Sequence, residues 1–204
     1  MKNVTRQSLK LAVGLVLATG MGAAVAEVPA AGQACVACHG ETGASTDPNV
    51  PNIGGVGSFF LENQFIIYSD GDRPCADEAF ADHEAENHCT IMAAVSEDDV
   101  LALSEYYGDQ EYVPFQQDFD QALADQGEAV HEDNCSRCHS AGGAEVFDDA
   151  GILAGQPIPY MTHQLELYQA NERWQPESKA EATTALDADQ IKALANYYAA
   201  EGLN

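Results

Sequence analysis

Apolar residues recur along this chain at steps of three and four rather than two. Near its end Ile191, Leu194 and Tyr198 mark one face, and the same steps separate Val100, Leu103 and Tyr107 in the first half. That spacing lays each set along one stripe of an amphipathic helix. Leu123, Gly127, Val130 and His131 trace a further helix, and no stretch alternates well enough to make a strand. "SEDD" at 96–99 adds an N-cap and an acidic first turn ahead of one final helix. An all-α fold is predicted.

The pattern also repeats. "NIGGVGSFFLENQF" (52–65) lies over "ILAGQPIPYMTHQL" (152–165) at an offset of 100, which pairs Gly55 with Gly155, Gln64 with Gln164 and Tyr68 with Tyr168. Near the ends of the halves the match resumes at an offset of 91, "DVLALSEYYGDQ" (99–110) against "QIKALANYYAAE" (190–201). Self-similarity of this kind reads as two copies of one structural unit. Each half should run as a helix, a Gly/Pro loop, a middle helix, a variable loop and a final amphipathic helix. The expected division is a first domain at 27–110, a polar, proline-bearing linker at 111–120 and a second domain at 121–204.

Residues 1–26 read as a secretory signal peptide. Lys2, Arg6 and Lys10 precede the short apolar run Leu11 to Leu17, and Ala24-Val25-Ala26 gives a small-x-small cleavage site. No later stretch is apolar enough to span a bilayer, so the mature chain is expected to be exported to the periplasm without a stable membrane span. Removing that leader leaves five basic residues, Arg73, Arg137, Arg173, Lys179 and Lys192, against all 33 acids, a formal charge of −28. Such a surface excludes nucleic acid as a partner. It would steer cationic partners, and it equally suits solubility at high salt.

Six cysteines in an exported chain would ordinarily pair as three disulfides, but their spacing points elsewhere. "CVACH" (35–39) and "CSRCH" (135–139) are both C-x-x-C-H, the attachment pattern for c-type haem. Two thiols one turn apart reach the two vinyl groups, and the following histidine lies under the iron. Cys35, Cys38, Cys135 and Cys138 are thus the expected attachment points of two covalently bound haem c groups, with His39 and His139 as proximal ligands. A covalent haem would also supply apolar bulk to domains that are small to stand alone.

The sixth ligands are less regular. A loop before the final helix commonly offers a methionine, and Met92 stands there in the first half. The corresponding stretch of the second half, about Asn171 to Ala185, contains none. Its candidates are Lys179 in the loop, His163 or Met161 on the middle helix, or an open or water-bound position. Cys75 and Cys89 enclose a 13-residue loop, for which a disulfide is the simplest reading and would contribute about 3 kcal/mol. A Cys2His2 metal site with His83 and His88, or two thiols, are the alternatives. His83 and His88 otherwise read as surface residues, and His131 as a packed helix residue.

Tandem C-x-x-C-H units carrying "LAGQ" (153–156) and then Tyr160, Gln164, Leu165 and Tyr168 resemble the dihaem cytochromes of the c-four type, built from two class I cytochrome c domains. A closer resemblance runs from "EYVPFQQDFDQALADQGEAVHEDNCSRCHSAGG" through "ILAGQPIPY", with "TIM" at 90–92, to the dihaem subunit of flavocytochrome c sulfide dehydrogenase. It implies His39 and Met92 on the first haem and His139 on the second. The family's second methionine is missing here, its place falling near Lys179, and the insertion bearing Cys75 and Cys89 is a second departure. The expected role is electron transfer from a flavoprotein sulfide dehydrogenase subunit to a small redox protein, with no catalytic side chain of its own. The chain has no Rossmann glycine fingerprint, so any flavin would come from another subunit. The alternatives are a free-standing shuttle to a terminal oxidase or reductase, and a haem enzyme or gas sensor with an open second iron.

Overall fold

A computed structural model describes residues 27–75, 87–147 and 149–203, and the leader expected at 1–26 lies outside them. The first half holds α1 (Gln33–His39), α2 (Ser58–Ser69), α3 (His88–Met92) and α4 (Glu97–Gly108). The second holds α5 (Gln121–Asn134), α6 (Ser140–Gly143), α7 (Ile158–Gln169), α8 (Glu177–Thr183) and α9 (Ala188–Glu201). The α6 element is one distorted turn, with Ala141 and Gly142 at φ of 50° and 65°. Among the described residues the only β pairing is the isolated Phe147–Ala150 bridge. None of the described helices is long and apolar enough to cross a membrane.

The final helix of each half is set by the same devices. Ser96 and Asp99 form a capping box at the start of α4, and Asp187 and Gln190 form one at α9. Each box satisfies backbone N–H groups that would otherwise lack partners at a helix start. The buried stripes are repeat mates: Leu103 and Tyr107 anchor one core with Val56 and Leu61, and Leu194 and Tyr198 anchor the other with Met161 and Ile191. In the second half α5 and α9 cross at Gly127, where a Cβ would sit 2.3 Å from the Ala193 carbonyl oxygen. Only glycine permits that approach.

The loop after each attachment motif is copied bond for bond. The Gly43 carbonyl accepts from Ile53 and Gly54 N–H at 2.8 and 3.1 Å, and the Gly143 carbonyl accepts from Leu153 and Ala154 at the same distances. Gly55 N–H then donates to the Tyr107 carbonyl and Gly155 N–H to that of Tyr198, which ties each loop to its final helix.

Residues 111–120 contain no helix, yet they are strapped down. Phe115 N–H donates to the Gly155 carbonyl at 2.8 Å, and the Tyr112 hydroxyl donates to that of Ala154 at 2.7 Å. Asn52 of the first half donates its side-chain amide to the Val113 carbonyl and its backbone N–H to Gln156 of the second. Gln156 returns a bond to the Asn52 carbonyl at 2.8 Å. The two halves are therefore clamped through the buried Asn52–Gln156 pair.

Leu194 is fully buried. Leu194→Ala is expected to destabilise the protein by roughly 2–5 kcal/mol, the range for a leucine cavity that cannot collapse. Denaturant unfolding of the haem-loaded protein against wild type measures it.

Candidate haem sites and their shared interface

The first attachment motif lies on α1. Cys35 is partly buried, Cys38 is exposed and His39 is buried. The His39 Nδ1–H donates to the Pro51 carbonyl at 2.9 Å, which fixes the ring and turns Nε2 the other way. Burial lowers the His39 pKa to about 4, the Pro51 bond opposing and Arg73 assisting. The ring is therefore neutral, the form that binds a metal. The Ser45 hydroxyl donates to the Cys38 carbonyl at 3.0 Å and pins the turn.

The second motif follows α5 as a turn rather than lying within a helix, with His139 N–H bonded to the Cys135 carbonyl at 3.0 Å. Gly151 stands where Pro51 stands in the first half. Its carbonyl acts on the His139 ring without completing a regular hydrogen bond, so Nδ1 is a buried atom without a partner. Burial, then Lys179 and His131, lower the His139 pKa to about 4. His131 is fully buried, with Nδ1 3.1 Å from the Tyr198 hydroxyl.

The distal candidates fall on α3 and α8. His88 stacks on Tyr68 with centroids 4.5 Å apart, and its ring lies 6.1 Å from that of His39. It is exposed, yet loss of solvation, with His39 and Arg73, lowers its pKa to about 3. Met92, one turn further along α3, is buried. In the second half Lys179 Nζ sits 3.5 Å over the Tyr168 ring. Thr183 occupies the place of Met92, its hydroxyl shared between Gln175 Oε1 at 2.7 Å and the Lys179 carbonyl at 3.1 Å. Met161 is core, packed with Leu186 and Leu194, and His163 is partly buried on α7.

Cys75 and Cys89 are joined as a disulfide with Cα atoms 5.3 Å apart. His83, the other histidine of the metal alternative, lies outside the described residues. Asn87 caps α3 by accepting from Thr90 N–H at 3.0 Å, so that cap and the disulfide together fix the start of this short helix.

One feature escaped the sequence reading. Arg73 and Arg173, also 100 apart, are both buried and face each other across the two halves. Arg73 donates to Gln64 Oε1 and Gln164 Oε1 at 3.0 Å each and reaches the Tyr160 hydroxyl at 3.5 Å. Arg173 donates to the same two glutamine oxygens. Each guanidinium also lies 4.5 Å over its own tyrosine ring, Tyr68 or Tyr168. Burial would raise the Tyr168 phenol, but Arg173, Lys179 and Arg73 outweigh it and lower its pKa to about 8. The signal was present: among the five basic residues after residue 26, these two alone repeat at the offset that also pairs the glutamines and tyrosines.

These residues fit haem. Two thiol pairs stand beside neutral imidazoles, of which His39 is oriented by Pro51, and the buried cations, with Arg173 Nε lacking any partner among the described residues, match a carboxylate-bearing group. Fold and sites define a dihaem c-type cytochrome of two tandem domains. The family model described as cytochrome c matches residues 124–199. Cytochrome c4 of Pseudomonas aeruginosa is 30% identical over 180 residues, 81% of each chain. The chain belongs to the cytochrome c4 family. The solved structure of reduced cytochrome c4 from Pseudomonas stutzeri superposes with a TM-score of 0.68 at 25% identity, covering 82% of this chain and 93% of that one. Thiosulfate dehydrogenase (TsdBA) from Marichromatium purpuratum gives 0.64 at 26% identity, over 81% of this chain and 36% of that one.

A buried positive charge favours the reduced state of a nearby iron, which carries less positive charge. Arg173→Gln is therefore expected to lower both midpoint potentials, because the guanidinium serves the shared interface. A redox titration should show shifts of tens of millivolts, where about 59 mV is tenfold for one electron.

Proposed function

We propose that this dihaem electron-transfer protein works in the periplasm as the haem subunit of a sulfur-compound dehydrogenase, taking electrons from a sulfide-oxidising flavoprotein and passing them to a small redox protein. The observation that carries the reading is the Arg73–Gln64–Gln164–Arg173 interface, which makes two attachment sites into one continuous unit suited to relay. The likeness to thiosulfate dehydrogenase and the residue pattern shared with sulfide dehydrogenase haem subunits support a sulfur substrate.

Cys35, Cys38, Cys135 and Cys138 would carry the haems, His39 and His139 would bind their irons, and Arg73 and Arg173 would meet their propionates. Haem supplies the one-electron chemistry when bound. The chain's own residues hold that chemistry rigid. Pro51 locks the His39 ring, the copied glycine loops fix the motifs against α4 and α9, and the amide clamps hold the two domains in one arrangement. No side chain needs to exchange a proton with a substrate. The acidic surface would steer a basic partner, and salt would weaken that attraction.

A free-standing shuttle is the second reading, favoured by the 93% coverage of a cytochrome c4 chain. Native copurification of the tagged protein separates the two. Stoichiometric flavin beside two haems per chain, with haem reduction on adding sulfide, is expected. A flavin-free cytochrome with both haems loaded and no response to sulfide would leave the shuttle.

A further inference from the structure

We propose that the first iron is held between His39 and His88 and the second between His139 and Lys179, so that both haems carry nitrogen on both faces and Met92 is not a ligand. The inference rests on the reading that both motifs carry haem.

It starts from the register of the two short helices. His88 lies eight residues before the N-cap of α4, Ser96, and Lys179 lies eight before the N-cap of α9, Asp187. At the same offset of 91, Met92 corresponds to Thr183. The family's methionine is thus missing from one position of the pair and the nitrogen donors from neither. Surroundings repeat as well: His88 stacks on Tyr68, and Lys179 Nζ lies over the equivalent Tyr168.

Geometry separates His88 from Met92. Two imidazoles sharing one metal ion through bonds of about 2 Å have ring centres about 6 Å apart, and the His39 and His88 centroids are 6.1 Å apart. With its Nδ1 committed to Pro51, His39 has Nε2 to offer. His88 is exposed while Met92, one turn on, is buried, and the Thr183 hydroxyl is occupied within its own surroundings. The first position of each pair is the more exposed and the second is buried. For Lys179 to bind a metal its amine must be neutral. The Lys179 amine and the Arg173 guanidinium both lie over the Tyr168 ring. The Cys75–Cys89 disulfide adjoins His88 directly and holds it in place.

The experiment uses the intact haem-loaded protein. Near-infrared magnetic circular dichroism of the oxidised form reports the axial pair at each iron, and proton NMR of the reduced form reports any iron-bound methionine methyl. Two low-spin nitrogen–nitrogen signatures without a thioether signal are expected. Met92→Leu should leave both spectra unchanged. His88→Ala and Lys179→Ala should each turn one iron high-spin and open it to carbon monoxide, to which the wild type should be inert. The conservative His88→Met should introduce one thioether signal even if the alanine variant folds poorly. A thioether signal in wild type that disappears in Met92→Leu overturns the first assignment. Two unchanged low-spin irons in Lys179→Ala overturn the second. Fewer than two haems per wild-type chain by the pyridine haemochrome assay would instead overturn the dihaem reading itself.

Discussion

Two guanidinium groups buried in one interface are the constraint around which the rest of this molecule is arranged. Taking a charge out of water costs several kcal/mol even after relaxation, and placing a second like charge beside it adds repulsion. Gln64 and Gln164 return only dipoles, and the tyrosine rings beneath Arg73 and Arg173 add a modest cation–π attraction. An anionic group would offset the remaining repulsion. Each haem would bring two carboxylates, and pairing them with these guanidiniums would couple haem binding to domain docking. The buried Asn52–Gln156 exchange and the strapped linker then hold the docking in a single register.

Much of this was legible in the chain before any coordinates. The three-four spacing of Ile191, Leu194 and Tyr198 gave α9 its buried face, and "SEDD" gave α4 its cap, because both are local consequences of helix geometry. The repeat carried the loops, which are copied down to individual hydrogen bonds. Pairings across the interface were not legible. Arg73 and Arg173 read as isolated charges until the fold brought 100 residues of separation down to one shared pair of amides.

The distal side was half legible for a similar reason. The repeat offset falls from 100 at Tyr68 and Tyr168 to 91 at the final helices, so the first variable loop is nine residues longer. An ungapped count through that loop cannot say which residue of α3 matches which of α8. Counting back from the two capping boxes can, because α4 and α9 are each fixed to the equivalent core of their own half. On that register His88, first read as a surface residue, becomes the counterpart of Lys179. The disulfide of the longer loop then has a structural purpose: α3 is only five residues long, too short to hold a side chain in place by its own hydrogen bonds.

Charge placement joins these observations. After residue 26 the chain has only five basic residues, and three of them, Arg73, Arg173 and Lys179, converge on Tyr68 and Tyr168 between the two sites. Arg137 and Lys192 are exposed. None of the described acids is buried, while Arg73 and Arg173 are buried and Lys179 is half-buried. An interior of that sign stabilises electrons on the irons, whereas replacing thioether by nitrogen removes one means of raising the potential. Under the proposed ligation the two effects would oppose each other, and the buried arginines would offset part of the potential that nitrogen ligands forgo. Removing the cations while keeping the ligands would leave irons that hold their electrons less well, with the same fold around them.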